Sequence, residues 1–427
     1  MEETFAAPDR VSRDRELRRK ALRDTQFYGE LRTFYMNSNN LNDTQNEAWA
    51  LGGSGGFKTG YFRNLFAFGA TAYTSQRLEG PPDKDGTSLL APGQHGYSVL
   101  GEAYAQFVLT PDVTATVGLK GYDTPFLSRY DTRMTPNTFE GAVIQGSTGG
   151  DNGAPGLRFG AGYIDKIKER DSDTFVSMAT AAGAKAGVSR GVSAAGATYV
   201  AGSLSIGATE YYSSDIMNIF YVAAKDTFAL TPRLRLGLGA QYTDQHSVGD
   251  DLLLGHAFSA GQLGFKAELS FAGTLVTAAY TTARAGGTTI QSPWSANPGY
   301  TTVQVENFDR SGENALMYRA AYNFPRLKNL SAYALYVHGS RPDVANQYAE
   351  NEYDLNLEWK VLTGDFRGIK MLVRYGHVSE QGPNEQHTNQ LRLVLYYDLP
   401  LPSPADSATH SSCSGCDEIP GALTAAN

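Results

Sequence analysis

The chain has 427 residues with 36 Lys+Arg against 44 Asp+Glu, a net charge of -8, and two cysteines, Cys413 and Cys416. The acid excess argues against nucleic acid as a partner, the thiol-free stretch before Cys413 rules out a disulfide framework or a thiolate metal site there, and no apolar run reaches the ~18 residues of a membrane-spanning helix. A mean hydropathy of -0.34 fits a soluble protein, but equally a barrel wall of alternating apolar and polar residues, with 46 Gly, 25 Tyr and 20 Phe for turns and interfacial girdles.

Residues 1–25 read as a charged N-terminal arm, a polar helix or an unfolded segment. The charge just after Met1 leaves no signal-peptide pattern, so the sequence reads as a mature form. From Gln26 to about residue 402 the texture changes to segments of roughly 9–11 residues, the length of a tilted membrane strand. Gly52-Gly53-Ser54-Gly55-Gly56 is no phosphate loop, since no Lys-Ser/Thr follows; inside a strand such glycines permit bending or close packing. Alternation is visible at Val113 to Lys120, ragged over 138–166 and 196–230, and visible again where Leu234, Leu236, Leu238, Ala240 and Tyr242 oppose Arg235, Gly237, Gly239 and Gln241. It recurs at Leu263 to Phe271. It is clearest from Glu352 to Val361, where Glu352, Asp354, Asn356, Glu358 and Lys360 alternate with Tyr353, Leu355, Leu357, Trp359 and Val361. In the last strand Leu391, Leu393 and Leu395 oppose Gln390, Arg392 and Val394. Residues 403–427 read as a flexible tail. Its Cys413-Ser-Gly-Cys416 lacks both the βαβ context of a redox site and a second pair to complete a zinc site, and reads as a local disulfide.

Alternation alone does not choose between a soluble sandwich and a barrel. Connection lengths do. Short turns at Thr110-Pro111, Thr231-Pro232, Gly273 and Pro325-Arg326-Leu327 alternate with long connections near 76–97, 167–195, 245–259 and 284–313. This predicts an all-β fold, a transmembrane antiparallel β-barrel of about 18 strands in a Gram-negative outer membrane, with both termini periplasmic.

With leucines and aromatics facing lipid, the opposite faces line a lumen that carries Arg32, Arg158, Lys166, Lys168, Arg233, Arg235, Lys266, Arg319, Lys370, Arg374 and Arg392. Such a row lowers the barrier for carboxylates; it also answers to the plain requirement that lumen positions be polar. Lumen acids Glu30, Glu102, Glu268, Glu352, Asp354 and Glu358 form an opposing wall. Two connections are expected to fold inward. One runs from Tyr122 to Gly141 with Arg129, Asp131, Arg133 and Glu140. The other runs from Thr288 to Glu313 with Trp294, Tyr300, Glu306, Asp309 and Arg310.

Several runs together resemble the OprD-type substrate-specific porins. They are Arg133-Met134-Thr135-Pro136-Asn137-Thr138-Phe139-Glu140-Gly141, Gly162-Tyr163-Ile164-Asp165-Lys166-Ile167-Lys168 leading to Arg170-Asp171-Ser172-Asp173, and Gln241-Tyr242 with Ser247-Val248-Gly249-Asp250. Ser292-Pro293-Trp294 with Pro298-Gly299-Tyr300-Thr301, Glu306-Asn307-Phe308-Asp309-Arg310, and the ending Gln390-Leu391-Arg392-Leu393 through Leu401 complete the set. The resemblance implies a single-chain barrel of 18 strands, constricted by inward-folded third and seventh loops, that passes small carboxylate-bearing solutes such as amino acids or aromatic acids. It carries an arginine and lysine ladder to Arg133 and Arg392, more loosely to Lys370 and Arg374, and an acidic partner to Glu306 and Asp309. Arg129, Arg158, Arg235 and Arg319 complete the expected pore-lining set. No cofactor or metal is expected, and no enzyme activity. The expected partners are small anionic solutes, the lipid bilayer with lipopolysaccharide, and the barrel-assembly machinery, for a monomer or homotrimer. The alternative is a structural barrel that holds a partner protein in or at its lumen.

Overall fold

A strand with apolar residues at every second position has one face for hydrocarbon and one for water, and closing such strands into a ring leaves no edge unpaired. The computed structural model, which describes residues 18–150, 154–327, 329–383 and 385–401, is such a ring. Cys413, Cys416, the rest of 402–427 and residues 1–17 of the N-terminal arm lie outside the described residues. Eighteen antiparallel strands form it: β1 Gln26–Asn39, β2 Gln45–Lys58, β3 Phe66–Glu79, β4 Tyr97–Thr110, β5 Val113–Lys120, β6 Thr138–Gly149, β7 Gly156–Lys168, β8 Val192–Ala201 and β9 Leu204–Ser213 make the first half. The second half is β10 Met217–Thr231, β11 Leu234–His246, β12 Ser259–Phe271, β13 Thr274–Ala283, β14 Asn314–Asn323, β15 Leu330–Gly339, β16 Glu350–Lys360, β17 Ile369–Glu380 and β18 Gln386–Asp398. Each pairs with its neighbours in sequence, and β18 closes on β1 from Glu30↔Asp398 to Asn39↔Asn389. Val176–Ser177 adds only a two-residue arm to β7.

The two faces separate as the alternation requires. In β16, Leu355 is 58% exposed and Tyr353 50%, while Glu352 and Asp354 between them are buried at 0% and 2%. Phe27, Phe57, Phe68 and Phe107 stand exposed near one rim and Trp49 toward the other, as aromatic girdles do. The glycine run in β2 works through close approach: a Cβ on Gly52 would lie 2.0 Å from the Thr74 carbonyl oxygen, and one on Gly53, at φ +144°, 1.9 Å from that of Glu30. Only a side-chain-free strand fits between β1 and β3 there.

Connections on the rim that holds the start of β1 and the end of β18 are short: 111–112, 202–203, 232–233 and 272–273 are two-residue turns. The other rim carries 80–96, and the connections called here L3 (121–137), L4 (169–191), L6 (247–258) and L7 (284–313). A helical turn over 18–23 caps the short-turn rim, where Gly60 N–H donates to the Ala21 carbonyl at 3.0 Å.

Apolar packing inside the ring is uneven. Phe126 and Leu127 of L3, Met178 of L4, Leu253 and Phe258 of L6 and Trp294 of L7 join one buried cluster with Phe139, Val143, Ile164, Ile219 and Tyr221 of the wall. Trp294 is 1% exposed, and its indole N–H donates to the Met178 carbonyl at 2.8 Å. Toward the long-loop rim the inner face of β6 to β10 therefore meets loop side chains rather than water, and there the polar half of the alternation is lost.

Candidate functional site

On the opposite side of the lumen the register stacks charged residues in tiers. Arg374 of β17 lies opposite Arg392 of β18, which lies opposite Met36 of β1; four residues along, Lys370 faces Tyr396 and Tyr396 faces Arg32. A four-residue step along a strand is about 13 Å, so the two tiers are separate stations. Tyr396 carries a cation on each side, with Lys370 Nζ 4.0 Å and the Arg32 guanidinium carbon 4.6 Å from its ring centroid. Arg319 sits 4.1 Å over Tyr333, whose hydroxyl accepts from Arg374 at 3.2 Å. Rings beneath the cations hold them by cation–π attraction without supplying a counter-charge.

L3 reaches this wall. Arg32 grips Asp131 through both carboxylate oxygens, at 2.6 and 3.0 Å, and donates also to the Arg133 carbonyl. The Arg133 side chain is buried, its Nε donating to the Thr87 carbonyl at 2.8 Å and its NH1 to that of Thr132 at 2.9 Å. Arg170 of L4 approaches from the other side, donating to Thr132 Oγ1 at 2.8 Å. Arg392 donates to Gln390 Oε1 and to the Gln304 carbonyl of L7, both at 2.7 Å. Among the described residues, none of Arg133, Arg170, Arg374 and Arg392 makes an ion pair. Burial, and then Arg392 and Arg170, push the Arg133 guanidinium well below its ordinary range. Because a guanidinium keeps its proton, that destabilisation is relieved by an anion arriving beside it.

L7 is pinned by wall carboxylates. Val305 and Glu306 N–H groups donate to the two oxygens of Glu352, each at 2.8 Å, and Gln304 N–H donates to Asp354 Oδ2 at 3.1 Å. Asp354 Oδ1 is buried and without a hydrogen-bond partner.

The pore-lining residues expected from sequence thus fall into groups. Arg133, Arg392 and Arg374 come together, with Lys370 and Arg319 stacked on tyrosines nearby. Arg129 is held by Asp123 at 2.7 Å and lies 3.9 Å from Glu102. Arg158 and Arg235 are exposed near the short-turn rim, away from this cluster. Asp309 is buried inside L7, accepting from Asn297 at 2.6 Å, and burial pushes its carboxyl up to about 7. Glu306 is likewise raised by burial. Sequence reasoning did not point to the approach of Arg170 or to the Arg32–Asp131 clamp. Arg170 sits in a quoted motif, but nothing in its spacing says that L4 reaches the arginines.

Comparison with known proteins agrees with the closed barrel of 18 strands. The model of the OprD family, described as outer membrane porin, matches residues 21–401. OccK9 (OpdG) of Pseudomonas aeruginosa superposes with a TM-score of 0.78 at 21% identity, covering 89% of this chain and 100% of that one. OccAB3 of Acinetobacter baumannii gives 0.79 at 18%, covering 88% and 99%. The P. aeruginosa OpdK structure with vanillate gives 0.75 at 20%, covering 88% and 99%. Comparison with curated proteins gives no match.

Proposed function

Because the chain belongs to the OprD family of outer membrane porins, we propose that it is a passive channel for small carboxylate-bearing solutes, with Arg133, Arg170, Arg374 and Arg392 as the selecting group. It acts in the Gram-negative outer membrane and its family is one of channels, not enzymes. The observation that carries the reading is the convergence of four guanidiniums from L3, L4, β17 and β18 with no ion-pair partner among the described residues. Lys370 and Arg319 continue the cationic line along the wall, each weak enough for an anion to move on. Glu352 and Asp354 face them and hold the narrowing strap of L7 in place. On this reading L3 and L7 set the size limit, and the long connections face outward from the cell while both termini are periplasmic. The OpdK structure with vanillate, a relative holding an aromatic acid, is in keeping with the carboxylate class.

Liposome swelling with a size-matched panel tests it. Entry of monocarboxylates should exceed that of the matching amines by about tenfold, the equivalent of ~1.4 kcal/mol in barrier height. Equal rates for both sets would contradict the selection.

A further inference from the structure

One residue of L3 stands between its charged anchors. Tyr130 has φ +42°, a left-handed backbone that a bulky side chain seldom adopts. Both its neighbours are tied down: Arg129 donates to Asp123 at 2.7 Å, and Asp131 is clamped by Arg32. The Thr132 N–H closes the turn onto the Tyr130 carbonyl at 2.8 Å. With its flanks fixed in this way, the ring lies beneath Arg170, whose guanidinium carbon is 4.2 Å from the ring centroid.

Stacking of an arginine on a tyrosine is ordinary; the company is not. The phenol is also within the field of Arg133 from its own loop and of Arg392 from β18. Burial would push it up, but Arg170, Arg133 and Arg392 together outweigh burial and hold it below the usual tyrosine value. Two other phenols of L3 and L7 go the opposite way: burial pushes Tyr122 up beyond the ordinary range and Tyr300 up to about 12. The charged groups around this point are Arg170 and Asp171 of L4, Arg133 of L3, Arg392 of β18 with Arg374 beside it on β17, and Asp354 on β16.

From this geometry we infer that Tyr130 is a specificity-determining residue of the constriction: its phenol is the counter-group that the arginine cluster carries with it. Protonated, it is a neutral ring at the anion site. Having released its proton to water, it is a resident anion that cancels part of the charge a solute carboxylate would meet. The inference rests on the reading of the cluster as an anion path.

The test is the zero-current potential of the purified full-length protein in planar bilayers under a potassium chloride gradient, from about pH 7 to about pH 9.5. Wild type should lose about half or more of its preference for chloride over potassium across that range, whereas Tyr130→Phe should lose clearly less. Lysines and histidines that titrate in the same interval do so in both proteins, so the difference isolates the phenol. Arg170→Gln should move the wild-type fall to higher pH, which a purely structural role for Tyr130 would not do. An equal fall in Tyr130→Phe, or a wild type indifferent to pH, would overturn the inference while leaving an anion-preferring channel intact. A wild type that prefers potassium at about pH 7 would overturn both it and the anion path on which it rests.

Discussion

The wall from β14 through β18 to β1 and the wall from β6 to β10 are made of the same kind of strand, yet they differ in what they turn inward. The first turns Arg319, Glu352, Asp354, Arg374 and Arg392 into the bore and keeps clean alternation, with small apolar groups among them: Phe34, Met36 and Val394 pack with Leu89, Leu90 and Met134, and Met317, Leu335 and Val337 with Val303 and Phe308. The second turns Phe139, Val143, Ile164, Ile219 and Tyr221 inward under the side chains of L3, L4, L6 and L7. A large barrel therefore need not be an open pipe: its largest apolar core fills one side at the level of the loops, and on the reading proposed here the solute path runs along the charged side.

The largest way to break that contrast is to empty the filled half. Trp294→Ala removes the side chain that joins L7 to L4 and should destabilise the loop core by about 3–5 kcal/mol, as large aromatic deletions in tight cores do. The expected signs are a lower temperature for the gel-mobility change on heating and a noisier, larger conductance; an unchanged protein would mean that the loops are not packed as described. On the clean wall, Leu355→Arg puts a charge into hydrocarbon and should cost about 2–4 kcal/mol near the midplane, read as a lower urea midpoint in vesicles. Asn356→Arg, one residue on and facing the bore, should cost much less, and equal costs would contradict the assignment of faces.

A smaller effect concerns L7 alone. The Asp309 carboxyl, raised to about 7 in the fold from about 3.9 in an unfolded chain, favours the docked loop most at low pH. That contribution is lost as the pH rises through the folded value. Protease cleavage within L7 should accordingly be slower at about pH 5.5 than at about pH 8, and Asp309→Asn should flatten the difference. A wild-type rate independent of pH would show that Asp309 is not buried in the docked loop.

The same contrast decides how much was legible beforehand. Where the inner face is polar, as from Glu352 to Lys360, a period of two assigns both faces from sequence, even though L7 covers Glu352 and Asp354. Where it packs apolar residues against folded loops, within 138–166 and 196–230, inward residues such as Phe139, Val143, Ile164, Ile219 and Tyr221 break the polar half of the pattern. Bulges between Glu140 and Gly141 and between Ala229 and Thr231 shift the register further, so the periodicity fades although the strands are regular. The motifs name Arg133 and Arg392, two members of the buried cluster, whereas nothing in the sequence points to Arg170, because its place depends on how L4 folds back. Glu306 and Asp309 were chosen as acids on the right loop, but sequence does not say which way a loop side chain turns. Asp309 braces L7 from within, and the acids that hold the 304–306 segment come from β16.

The central claim is that an arginine cluster without ion-pair partners among the described residues makes the constriction prefer anions. Its most direct test is the zero-current potential in a salt gradient at neutral pH, for wild type and for Arg133→Ala combined with Arg392→Ala. The account predicts an anion-preferring wild type whose preference falls about tenfold in the double variant, a loss of ~1.4 kcal/mol. A double variant as selective as wild type would contradict it.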